Sequence, residues 1–268
     1  MPPSSKYLCL LIVVLAILHP VLGGIDPVVA SHSLAPEDPD AFIYTVSDTE
    51  AYNWLDASGG QDIGFASDDA YSGPVPIGFD FDFYENSYTE LYISTNGLIT
   101  FGNGSSMYIN HPVPKIEPPN NFIAPFWDDL AVGGDYNNGK VYYDSGNLAG
   151  INYFVVEWQE ISIKDSSDSL TFEAILYENG NICFQYHTLE GVIETETVGI
   201  EDADGIDGAQ YLFDESGLKD LEKNNAVCFF RPGSEARVKA TPLYQSQFVQ
   251  NRQAEFNVTI HNTGEEGE

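Results

Sequence analysis

From Ala41 to Pro232 the chain is written in short apolar or alternating runs, broken by Gly, Asn, Asp and Pro. That spacing predicts an all-β protein. No window carries a 3.6-residue amphipathic period of helical length. Val75–Tyr84 (VPIGFDFDFY) alternates, with Ile77, Phe79, Phe81 and Phe83 on one face and Asp80 and Asp82 on the other. Leu91–Thr95 and Leu98–Phe101 flank Asn96-Gly97, a hairpin signal because both turn residues tolerate positive φ. Phe122–Trp127 is a continuous apolar run, predicted to be buried on both faces. Val141–Asp144 follows a second Asn-Gly pair, Asn138-Gly139. Tyr153–Ile163, Leu170–Tyr177 and Asn181–His187 predict a meander, the last two joined at Glu178-Asn179-Gly180. Thr197–Ile200, Gln210–Phe213 and Ala226–Phe230 complete the set. About a dozen strands of this length predict a large antiparallel β-sandwich, or a closed barrel, since an open sheet would leave its edges exposed.

A boundary falls near Arg231-Pro232-Gly233. Beyond it Ala236–Thr241 and Ala254–His261 alternate again and end in Asn262-Thr263-Gly264, as the first strands of a second, immunoglobulin-like sandwich would. Two strands alone are marginal in water, so the natural chain is expected to continue.

At the other end, Lys6 precedes the apolar run Tyr7–Leu18, and Val21-Leu22-Gly23 has small residues where a signal is cut. The run lies in signal-peptide range and is short for a membrane span; an uncleaved anchor is the rival reading. The expected order is a signal peptide over 1–23, a linker over 24–40, the main β domain over 41–233 and an incomplete immunoglobulin-like domain over 234–268. The mature protein is expected to be secreted or at the cell surface, with no membrane insertion of the folded domain.

Charge narrows the partners. The chain has 41 acidic against 10 basic residues, a net charge of −31. Such a surface repels phosphate backbones and anionic lipid, which argues against nucleic acid. It suits high salt or a calcium-containing medium, or serves solubility alone. Of the cysteines, Cys9 lies in the apolar run, while Cys183 and Cys228 lie in strand-like segments. Export would let the latter two form a disulfide; two separately buried thiols are the alternative.

Candidate chemistry is sparse. Asp128-Asp129 ends the Phe122–Trp127 strand, and with Asp135 these carboxylates offer oxygens for Ca²⁺; the alternative is a turn in which Asp caps backbone N–H groups. Asp202, Asp204 and Asp207 in EDADGIDG (201–208) are a second calcium candidate or an acidic hairpin loop, since the twelve-residue calcium loop is not matched. Glu157, Glu160 and Glu173 lie on or beside strands and offer a carboxyl pair of the kind used in glycoside hydrolysis. Alternation with Val156/Trp158 and Phe172/Ala174 predicts that Glu157 and Glu173 face solvent. There is no G-x-S-x-G elbow, and His32, His111, His187 and His261 have no zinc spacing. His187 is expected at an edge or on the surface. Tyr142, Tyr143, Tyr153, Trp158, Tyr177 and Tyr186 include both faces of their strands, so either an aromatic binding face is exposed or both faces are covered. Tyr52, Trp54 and Asp56 are placed to pin the N-terminal segment onto the domain. Sequons stand at Asn103-Gly104-Ser105 and Asn257-Val258-Thr259; Asn103, in a Gly-rich turn, is the better exposed candidate.

Six segments stand in order: LYISTNGLITFG (91–102), NNFIAPFWDDL (120–130), GKVYY (139–143), VVEWQEI (155–161), TFEAILYENG (171–180) and VGIE (198–201). Together they resemble the nidogen-like (NIDO) extracellular β domain, most closely its relatives in large secreted prokaryotic proteins. The tail with FNVTIHNTG resembles the opening of a bacterial or archaeal immunoglobulin-like repeat. The resemblance covers about Tyr44 to Pro232 and implies an extracellular module of adhesion and matrix proteins, with no catalytic residues to transfer. The cysteine-rich modules that accompany animal members are missing. The expected function is a non-catalytic binding or adhesion module of a larger surface or secreted protein, with an extracellular protein or glycan as partner. One alternative is an ancillary domain of a secreted protease or glycosidase whose catalytic part follows residue 268; another is a carbohydrate-active enzyme using a Glu pair.

Overall fold

A computed structural model describes residues 44–132, 139–166, 169–190, 195–214, 216–217, 221–233, 238–241 and 259–262. The signal peptide and linker, Asp135, Asn138, His32, Asn257 and the His261 side chain lie outside the described residues. The strands, in chain order, begin with β1 Thr45–Ser47, β2 Gln61–Asp62, β3 Val75–Phe83, β4 Asn86–Ile93, β5 Ile99–Thr100 and β6 Phe122–Trp127. They continue with β7 Leu130–Ala131, β8 Lys140–Leu148, β9 Ile151–Ile163, β10 Ser169–Tyr177, β11 Ile182–Glu190 and β12 Thr197–Glu201. The last are β13 Gly208–Phe213, β14 Ser216–Gly217, β15 Asn225–Phe230, β16 Val238–Thr241 and β17 Thr259–Asn262.

The first sheet runs β1-β15-β11-β10-β9-β8-β2, with β7 attached to β9; the second runs β14-β13-β12-β6-β5-β4-β3. All pairings are antiparallel, and β16 and β17 form a separate pair. The core lies between the two sheets. Phe126 of β6 stacks on Phe172 of β10 with centroids 5.3 Å apart, and Tyr186 Oη donates to Pro125 O at 2.8 Å. Trp158 Nε1 donates to Ser94 O at 2.9 Å, joining β9 to the end of β4. These four rings are among the largest fully buried side chains of the core.

Alternation along β3 is as read: Ile77, Phe81 and Phe83 are buried, while Asp80 and Asp82 are exposed. All six residues of β6 are buried. The reason is a third and a fourth layer. Residues 102–121 cross the outer face of the second sheet, where Val113 packs with Leu98, Phe122, Ala124 and Trp127. Residues 52–63 cross the outer face of the first, where Leu55 and Ala57 pack on Val155 and Ile175. Both faces of both sheets are therefore largely covered. Trp158 and Tyr186 are fully buried, and Tyr142, Tyr143, Tyr153 and Tyr177 are half-buried.

Two of the predicted turns form. Gly97 has φ +71°, and a Cβ there would overlap Phe126 O, so only glycine fits. Gly180 has φ +82° and donates to Tyr177 O at 2.8 Å. Cys183 and Cys228 stand opposite each other on β11 and β15, with Cα atoms 4.1 Å apart, and form a disulfide.

Candidate functional site

Three places on the domain concentrate polar or exposed groups. The first lies under residues 52–57. Glu157, Glu173 and Gln185 sit side by side on β9, β10 and β11, each opposite the next in register. Glu157 and Glu173 were expected to face solvent. Instead Glu157 is 1%, Glu173 0% and Gln185 3% exposed. The alternation places them on the outer face, as read, but the overlying segment seals that face.

The seal is made by the backbone. Asn53 N donates to Gln185 Oε1 at 2.5 Å, Leu55 N to Glu173 Oε1 at 3.1 Å and Ala57 N to Glu157 Oε2 at 2.8 Å. Every second N–H of an extended segment thus meets the next strand's side chain. Gln185 Nε2 returns the contact to Asn53 O at 2.8 Å and also donates to Glu173 Oε1 at 3.0 Å. Tyr52, Trp54 and Asp56 have the opposite parity. Tyr52 stacks on Trp54, and its hydroxyl meets Nδ1 of the exposed His187 at 2.9 Å. Asp56 accepts from Ser58 N at 2.9 Å, in a turn of its own. Burial pushes the Glu173 carboxyl up to about 9, against the pull of the Leu55 N–H and with the field of Glu157 adding to it. Burial also raises Glu157. Glu173 is therefore neutral at physiological pH, and neither carboxyl touches solvent. A glycosidase pair needs a sugar and a water between its carboxyls; this pair has neither space nor access. Glu160 lies apart, exposed in a bulge with φ +52°.

The second place joins the two most distinctive motifs. Asn96, fully buried in the β4–β5 turn, accepts from Leu130 N at 3.0 Å. It donates to Asp69 Oδ1 at 3.0 Å. Asp68, Asp69 and Asp129 bring carboxylate oxygens within 4.8 Å of one another. Lys164 Nζ is 2.8 Å from Asp68 Oδ2 and 4.0 Å from Asp129 Oδ1. Asp128 does not join this group: its oxygens accept from Asp129 N at 2.8 Å and Thr195 Oγ1 at 2.7 Å. In the other acidic loop, Asp202 Oδ1 accepts from Ile206 N at 3.0 Å and Asp207 N at 3.1 Å. Asp204 Oδ1 lies 3.4 Å from Ile206 N. Asp202 and Asp204 thus brace a turn, and burial with the Asp204 carboxyl raises Asp202 to about 6. Asp68 and Asp69 carry no signal of this site in the sequence, because they stand far before Asp129 in the chain.

The interlock at Asn96 explains why LYISTNGLITFG and NNFIAPFWDDL occur together: the turn of one is seated on the backbone of the other. Residues 43–234 match the family described as NIDO related. The chain belongs to the NIDO-related family. Alpha-tectorin of Gallus gallus is 25% identical over 137 residues, which cover 42% of this chain and 6% of that protein. The chain thus spans a small part of this curated relative. No solved structure matches. As a NIDO-related domain the protein is secreted or displayed at the cell surface.

The third place is the end of the sandwich where residues 102–121 meet the turn at 203–206. It carries a cavity of about 460 Å³ lined by Phe101, Met107, Pro118 and Asn120 among others. Asn103 lies on its rim and is exposed, as its sequon requires. No motif in the sequence of this loop marks a binding role. His111 is buried edge-on against Trp127 at 4.7 Å, and burial lowers its pKa, favouring the neutral ring.

Proposed function

We propose that the NIDO-related domain is a non-catalytic binding or adhesion module of a larger surface or secreted protein. The observation that carries this reading is the sealing of Glu157 and Glu173. They are the carboxyl pair the sequence offered for catalysis, and a backbone segment occupies the place a substrate would need. The domain order proposed with it is signal peptide 1–23, linker 24–40, nidogen-like domain 41–233 and the start of an immunoglobulin-like repeat from 234. The antiparallel pairing of β16 with β17 supports that start. Relatives in secreted prokaryotic proteins belong to the same proposal, as does an extracellular protein or glycan partner.

The test is to offer the purified secreted protein a panel of glycans and peptides and to record both retention and turnover. Retention without turnover is the expected result. Hydrolysis that disappears in Glu157→Gln or Glu173→Gln would overturn the proposal.

A further inference from the structure

Among the described residues, the two most exposed large apolar side chains, Ile116 and Ile206, lie at one end of the sandwich, with Met107 beside them. Ile116 is 71% exposed, Ile206 63% and Met107 39%. They are neighbours in space. A Cβ on Gly205 would lie 2.9 Å from Ile116 Cα, which brings the turn bearing Ile206 against Ile116. Met107 shares the 460 Å³ cavity with Pro118 and with Ala203 of the same turn. Soluble domains seldom leave such groups in water together without a use for them.

This exposure is built rather than a result of fraying. Trp127 Nε1 donates to Met107 O at 2.9 Å and Lys115 N to Glu201 Oε2 at 2.7 Å. Asn121 N donates to Asp202 O at 2.7 Å, and Asn96 Nδ2 to Ser106 O at 3.3 Å. A loop held at four points presents its apolar groups in one arrangement, which lowers the entropy a partner must overcome.

Charge selects the partner. No charged side chain lines the cavity. Outside it the exposed Glu117 and Asp204 stand next in sequence to Ile116 and close to Ile206, with the half-buried Lys115 as the one nearby cation in that stretch. The net charge of −31 repels a second copy, anionic lipid and phosphate alike.

We propose that this end of the sandwich docks a cationic, apolar polypeptide segment of an extracellular partner, with an uncharged side chain filling the cavity and basic residues meeting Glu117 and Asp204. This rests on the reading of the domain as a binding module and names where and what it binds.

The test uses three synthetic peptides of equal length, alternating Lys/Phe, Lys/Ser and Glu/Phe, titrated against the full chain. Lys/Phe is expected to bind, and the other two to bind at least about tenfold more weakly. Replacing Ile116→Asp with Ile206→Asp adds negative charge, so simple attraction of cations would strengthen; the expected result is instead a loss of about tenfold or more. Leu148→Asp with Ile151→Asp adds the same charge on the β8–β9 hairpin and is expected to change nothing. All four positions are exposed, and an unchanged melting temperature verifies the fold. Equal binding of Lys/Ser and Lys/Phe, full affinity in the Ile116/Ile206 variant, or no binding of Lys/Phe to the wild type would each overturn the proposal. Dimerisation that the Ile116/Ile206 variant abolishes would assign the surface to a second copy and overturn it too. Turnover of a substrate would defeat the non-catalytic reading while leaving these outcomes unchanged, so the two fail separately.

Discussion

The backbone N–H of Leu55 points at Glu173 Oε1, 3.1 Å away and 118 residues on in the chain. That one contact holds an extended segment over a carboxyl that water does not reach. Glu173 keeps its proton up to about 9, whereas an unfolded glutamate loses it near 4.5. The folded state therefore binds the extra proton between those values. Stability is greatest at the acid end and falls as pH rises from the ordinary value through about 9. Glu196, raised to about 7, and Glu201, raised to about 8, both by burial, act in the same direction. Thermal melts are expected to climb as pH drops from about 9 to about 5. Glu173→Gln keeps the acceptor for Leu55 and removes the acid, so at about pH 8 it should stabilise by about 1 kcal/mol or more and flatten the profile. A variant less stable than wild type at that pH would contradict this assignment.

Gly97 allows the β4–β5 turn to lie against β6. Gly97→Ala would place a methyl on Phe126 O at a positive φ, with no flexible side chain to yield. The expected loss is about 3 kcal/mol or more, seen as a lower denaturant midpoint or failed secretion. Asn96→Ala should cost less, about 1–3 kcal/mol, by leaving Leu130 N–H unpaired. Near-neutral behaviour of Gly97→Ala would show that the turn can shift away from β6.

Calcium is the ion that the aspartates suggest in the sequence. In the Asp68–Asp69–Asp129 group the Lys164 ammonium already supplies a counter-charge, held by its bond to Asp68. The wild-type melting temperature is expected to stay constant on adding Ca²⁺ or EDTA. In Lys164→Met the three carboxylates lose that cation, and Ca²⁺ at a hundredfold over its Kd would return about 2.7 kcal/mol. An EDTA-sensitive wild type would place a bound cation here or at Asp202–Asp204–Asp207, and Asp69→Asn against Asp204→Asn would tell the two apart.

The Cys183–Cys228 bridge closes a loop whose ends are 45 residues apart in sequence. Constraint of the unfolded chain by a loop of this size is worth about 4 kcal/mol. The double replacement Cys183→Ala with Cys228→Ala should lower the melting temperature with little change in native circular dichroism. Equal stability with and without reductant would refute that contribution.

Much of the frame was legible because it depends on local pattern. The 2-residue alternation of β3, the apolar run of β6 and the Asn-Gly turns at 96–97 and 179–180 each declare themselves within a few residues. What stayed hidden is non-local. Tyr52 and Trp54 do meet His187 of β11, as an anchor would, but the seal over the carboxyls is made by the backbone N–H groups of Asn53, Leu55 and Ala57, which no side-chain pattern marks. Alternation put Glu157 and Glu173 on the correct face, but it cannot report a layer supplied by a segment 100 residues earlier. The adjacent Asp128-Asp129 suggested one site, and the fold splits the pair. The extension of β8 through Ser145–Leu148 has almost no apolar alternation; its partner β9 imposes the pairing.

β1 pairs antiparallel with β15 so that Thr45 stands opposite Phe230. The chain therefore enters and leaves the domain side by side, at one end of one sheet. In a string of modules this domain would hang from the thread as a lobe. A pull on the flanking chain would open the β1–β15 contact like a zipper, one pair at a time, with no shearing of the whole strand. On the β15 side such peeling halts at Cys228, which the disulfide ties to β11. Tension would thus free the short first strand and leave the rest of the sandwich closed.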